Sequence, residues 1–364
     1  SGGGTLVLSG SNSVSGTLYV DTSSTTANEG IVRLASPLAV GGFSAISIRN
    51  NNSGSSTLQL EGSSGGITAP AVSLSGRNTN VVAIQNVAGS NSIGGLTVNV
   101  GGSFYLLQSD GGTLNLGGIV SSAAGGTRTF TLRGPGDFNV SGSIQNGSAT
   151  VGLVKDGPGT LTLAGVNTYT GPTTVSNGTL VVNGSVGAGG VVVAGGRLAG
   201  SGSIAGAVTV LAGGVLSPGV SIGALAIHNS LSLAGATVME LNKAAGTNDL
   251  VHGLTSVSYG GTLTVTNLGG ELAAGDAFKL FGAASYSGAF AEIFPATPGP
   301  GLAWDTSTLA TDGSLRIVST ANPIPTNIVF ATAGGKLTLS WPADRLGWRL
   351  QVQSNTLAEG LGPN

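Results

Sequence analysis

The chain has 364 residues, 65 of them glycine, and only 8% are charged, against roughly a quarter in ordinary soluble proteins. Its net charge of −2 and pI near 5.6 offer no basic surface for nucleic acid or anionic lipid. The absence of cysteine excludes disulfides and thiolate metal sites, and no run of about 18 apolar residues is present to cross a membrane as a helix.

The nearest basic groupings, Arg128 with Arg133 and Arg345 with Arg349, do not make a patch. With one Met, few Glu and Lys and no helical stripe, the chain reads as all-β. Glycine, Asn and Asp supply the backbone angles of tight corners, as at Asn146-Gly147, Asn177-Gly178 and Asn183-Gly184. Residues 1–150 carry degenerate copies of one unit: GTLVLSG at 4–10, GTLYV at 16–20, STLQLEG at 56–62 and GGTLNLGG at 111–118. Within each, apolar and polar residues alternate, as strands with one buried face require. The first of them opens the chain directly, with no basic-then-apolar leader, so a removed signal peptide or a fragment is expected. Asn50 to Ser56 reads as a protruding corner.

Residues 151–182 are the most typical repeat. Lys155-Asp156-Gly157-Pro158-Gly159 predicts a surface turn and GTLTL a strand; Asn167-Thr168-Tyr169-Thr170-Gly171 turns again before the strand TTV. The K-x-G-x-G-T-L-T-L segment ending at Leu163, the N-T-Y-T-G-x-T-T-V segment ending at Val175 and the closing G-T-L-V-V-N-G resemble the autotransporter-associated β-strand repeat of large bacterial surface proteins. LSPGVSIGALAI at 216–227 is similar to what trails such repeats. The resemblance implies a right-handed parallel β-helix exported to the cell surface or beyond. Nothing after residue 320 resembles a membrane β-barrel, so self-anchoring is not expected of the chain as given.

From Leu180 an aliphatic residue recurs every six positions, through Val186, Val192, Leu198, Ile204, Val210 and Leu216 to Ile222. A longer beat lies over it: Leu161, Leu180, Leu198, Leu216 and Leu233, and upstream Leu96, Leu114 and Leu132, are spaced by 17 to 19 residues. Three six-residue sides make a coil of about 18, with one inward aliphatic per side and none of the beat's inward positions ionisable. The six-residue beat alone also suits a left-handed β-helix, although glycine two places before the beat and the usual crossover hand favour the right-handed form.

The expected layout is a β-solenoid over 1–320, of which 236–320 is a wider end region. A proline-containing linker at 321–325 and a short β-rich segment at 326–364, not an independent domain, complete it. In the end region Phe278, Phe281, Tyr286, Phe290, Phe294 and Trp304 are read as a terminal core, with a carbohydrate-stacking platform as the alternative. In the final segment Trp341 and Trp348 are available for burial.

Catalysis by a β-helix needs carboxylates clustered on neighbouring coils, and the 15 acidic residues are scattered singly. Asp137, Asp156 and Asp249 are explained as turn residues, and Lys155 with Asp156 as part of the repeat's turn. His228 and His252, facing across a coil, lack further metal ligands, and GPGDFNV at 134–140 is one turn with no calcium-binding array around it. The sequence therefore predicts no catalytic, cofactor-binding or metal residues and no cofactor. It predicts a secreted structural surface stalk or extracellular fibre that polymerises head to tail with copies of itself, exchanging strands at its ends. An adhesin for surface glycans is the alternative, and a polysaccharide lyase or hydrolase a more distant one.

Overall fold

A computed structural model of the chain describes residues 4–21, 29–49, 55–63, 65–78, 80–320 and 328–340. Within the coils, successive strands along the three faces do not pair with their neighbours in sequence. They pair in parallel with the equivalent strand one coil later, which is the topology of a β-solenoid. One face stacks 13 strands from Gly4–Leu8 to Tyr286–Gly288. A second runs from Thr68–Ala69 to Glu292–Phe294. The third consists of a six-stranded sheet from Ser15–Val20 to Ile144–Gly147 and a five-stranded one from Ser185–Val186 to Phe281–Ala283.

Alternation along each strand explains the core. In Thr160–Leu163, Leu161 and Leu163 are buried while the threonines face outward, and the same holds for Leu231 and Leu233 between serines. Stacked on their counterparts above and below, these residues form one continuous aliphatic column.

The coil is not uniformly 18 residues long. On the first face Gly4 pairs Gly30 and Gly30 pairs Ser56, steps of 26. The step is 23 from Phe130 to Leu153 and 20 from Leu153 to Thr173. It falls to 18 from Thr173 to Val191 and 17 from Val191 to Val208. It then widens to 23, 26 and 29 through Leu231, Val257 and Tyr286. The expected period therefore describes only the narrow waist. The spacing of Leu96, Leu114 and Leu132 is accidental: they lie on three different faces, pairing Ile119, Phe138 and Lys155. Leu161, Leu180, Leu198 and Leu216 do stack, but Thr237 succeeds them where Leu233 was expected.

The six-residue beat is corrected in the same way. Six of its eight members are buried, but Val192 points outward between inward Val191 and Val193, and Ile222 lies half-exposed in a loop. Each full side carries two inward residues because a strand has a period of two. Upstream of the beat the interior does hold ionisable groups. Arg77 is fully buried and donates to the carbonyl of Ser56 at 2.8 Å, and Arg128 and Lys155 also point inward.

The two ends of the stack differ. After the last coil, an antiparallel sheet of Ala277–Lys279, Ser314–Ser319 and Leu302–Asp305 closes the core with buried Phe278, Leu315 and Ile317. Tyr259 reaches into this cap and donates its hydroxyl to the carbonyl of Leu309 at 3.0 Å. At the opposite end, the outer edge of Gly4–Leu8 has no partner among the described residues. Its core-facing Leu6, opposite Val32, is 56% exposed.

Candidate functional site

The most built part of the molecule is the corner formed by residues 153–182. Alternation in Thr150–Lys155 turns Leu153 and Lys155 to the same inward side, and Lys155 is 1% exposed. The expected surface turn is therefore a buried ammonium. Its Nζ donates to the carbonyls of Asp156 at 3.1 Å, Gly157 at 2.6 Å and Asn177 at 3.3 Å, tying one corner to the next. Burial pulls the Lys155 pKa down to about 8, against the opposing pull of Asp156 and Asp137.

A lysine whose pKa is lowered on folding disfavours the fold when protonated. Its proton is bound more tightly by the unfolded chain between about 8 and 10.5, so stability rises with pH across that window. Urea unfolding from pH 8 to 10.5 is expected to show this rise in the native chain and a smaller one in Lys155→Met; equal slopes would contradict it.

Asn167 locks the second half of the repeat. Its Oδ1 accepts from the amide of Ile144 at 2.8 Å, while Nδ2 donates to the carbonyls of Gly165 at 2.9 Å and Ser185 at 2.7 Å. One buried amide thus satisfies backbone groups on the coils before and after its own. Tyr169 is fully buried and shares a 2.6 Å hydroxyl contact with Thr173. Burial drives its pKa up to about 12.

The corners also bring glycines together. Gly94, Gly117, Gly142, Gly165, Gly184 and Gly202 stack coil on coil, and a Cβ built on any of the last five would overlap the carbonyl oxygen of the glycine before it. The sequence reading assigned glycine to turns. In this column its role is close approach of backbone to backbone.

The remaining singled-out residues are structural or dispersed. Asp249 is fully buried, accepting from the amides of Gly223 at 2.8 Å and Glu240 at 2.7 Å. It latches two coils and does more than form the expected turn; burial raises its pKa to about 6. Asp137 caps Thr160, accepting from its amide at 2.7 Å. His228 and His252 are exposed on adjacent coils. Among the described residues no group of three or more His, Cys, Asp or Glu is placed to hold a metal. Arg128 turns inward, while Arg133 points outward and donates to Gln108 at 2.9 Å. Arg345, Arg349, Trp341, Trp348 and residues 50–54 lie outside the described residues.

On the outer side of the first face, Arg33, Gln59 and Gln85 are joined coil to coil by side-chain hydrogen bonds at 2.7 and 2.8 Å. The row continues through Asp110 and Gln108 to Arg133. The end-region aromatics also pack together: Tyr259 lies 5.1 Å from both Phe281 and Phe290, and Trp304 donates to the carbonyl of Pro295 at 2.8 Å. Phe294 is 65% exposed. A cavity of about 140 Å³ sits beside Phe290, Ile293 and Leu309.

These geometries explain a repeat known from other proteins. The family described as Passenger-associated-transport-repeat matches residues 1–34 and 153–182. Over these residues the chain carries this repeat, on a parallel β-solenoid. The match at 1–34 extends the resemblance to a region whose likeness in the sequence is one of style. A comparison with curated proteins found no match.

Proposed function

We propose that this chain is a rigid, non-enzymatic structural shaft that joins end to end with copies of itself. The observation that supports this reading is the asymmetry of its ends. One end is sealed by an antiparallel cap, and at the other the outer edge of Gly4–Leu8, beside exposed Leu6 and Val14, has no partner among the described residues. A capped last coil cannot serve as the template for a neighbour's first coil, so a head-to-tail joint needs a separate strand donor. The hairpin of Val329–Ala333 and Lys336–Ser340 fits that role: its strands pair only with each other among the described residues, with Val329 62% and Phe330 71% exposed. Laid along Gly4–Leu8 of the next copy, it would extend the sheet by β-augmentation.

Leu6→Asp tests this with little risk to the fold, because the side chain is already more than half exposed. Sedimentation velocity is expected to show association rising with concentration in the native chain and a monomer in Leu6→Asp. Identical behaviour of the two would refute the joint.

A further inference from the structure

The three Asn-Gly pairs of this chain share a sequence and differ in surroundings. The side chain of Asn146 is held on both atoms: Oδ1 accepts from the amides of Val151 at 3.0 Å and Thr170 at 3.1 Å, and Nδ2 donates to the Thr170 hydroxyl at 2.8 Å. At Asn183 the restraint lies on the following residue, since the Gly184 amide donates to the carbonyl of Leu163 at 2.9 Å. At Asn177 neither restraint exists. Asn177 is exposed, and the Gly178 amide donates 2.7 Å to the Oδ1 of Asn177 itself instead of to a neighbouring coil.

We propose that Asn177-Gly178 is a self-modification site at which the folded protein deamidates. The nucleophile, the Gly178 nitrogen, already lies against the electrophilic carboxamide, and Gly178 has no Cβ to obstruct the approach. As Gly178 N loses its proton, an N–Cγ bond forms, the Cγ–Nδ2 bond breaks, and ammonia leaves with that proton. The five-membered succinimide then takes up one water, opening to aspartate or, through the other carbonyl, to isoaspartate. No oxidant or enzyme is needed. The backbone carbonyl of Asn177 is one that Lys155 holds, at 3.3 Å, so the new carboxylate appears on a residue already bonded to a buried ammonium that now contacts carbonyls alone.

The test incubates the folded chain in mildly alkaline buffer and quantifies acid at each pair by peptide mass spectrometry with isoaspartate-specific methylation. Asn177 is expected to convert about tenfold faster than Asn146 or Asn183, the factor that one retained hydrogen bond adds to a barrier. In urea the three rates are expected to converge, and Asn177→Gln is expected to silence that site alone. Conversion of Asn146 or Asn183 as fast as Asn177 in the folded protein would overturn the proposal. So would an Asn177 that reacts only in urea.

Discussion

Gly142→Ala is expected to destabilise the solenoid by about 3 kcal/mol or more, or to prevent folding, although it adds a single methyl group. The added Cβ would overlap the carbonyl oxygen of Gly117 on the coil below. The obstacle is backbone stacked on Gly94 below, and Gly142 is itself stacked beneath Gly165 on the coil above, so neither side can yield without breaking parallel pairing over several coils. Backbone conformation does not enter, because Gly142 lacks a left-handed φ. Gly10→Ala makes the matched control. A Cβ there meets nothing within 4 Å, and the substitution is expected to change stability by no more than about 0.5 kcal/mol. Equal urea midpoints for the two variants would show that the glycine column is not what limits coil spacing.

Tyr169→Ala is expected to cost about 3–5 kcal/mol, the range for truncating a fully buried aromatic. Tyr169 is fully buried, its amide donating to the carbonyl of Ile144 on the coil below, and its hydroxyl meets Thr173, itself fully buried. Tyr169→Phe separates the two contributions. It keeps the ring and leaves one hydroxyl unpaired, for a loss of about 1–2 kcal/mol. Urea unfolding of the pair measures this directly, and a Phe variant as unstable as the Ala variant would contradict the assignment of the larger share to packing.

The all-β solenoid was legible because strand alternation and a repeated corner are local signals. GTLTL and TTV read correctly as strands, with Leu161 and Leu163 inside. The coil length was not legible, since insertions at corners change the step without changing any strand. Leu114 pairs Phe138 across 24 residues, whereas Leu180 pairs Leu198 across 18. A period taken from the waist therefore misplaced Leu96, Leu132 and Leu233. A charge next to Asp-Gly-Pro-Gly looks like a solvated turn, whereas the register sets Lys155 beside inward Val175. The signal was present in the alternation of Leu153, Val154 and Lys155, which places Lys155 on the side of Leu153. The glycine column could not be seen from one coil, because its cause is the coil above or below.

The proposed head-to-tail joint has a distinctive appearance. Thirteen stacked strands at roughly 4.8 Å give a rod about 58 Å long. Negative-stain electron microscopy of the concentrated chain is expected to show such rods joined end to end in one polarity, and single rods for Leu6→Asp. Native rods that remain single at every concentration, or that join capped end to capped end, would contradict the account.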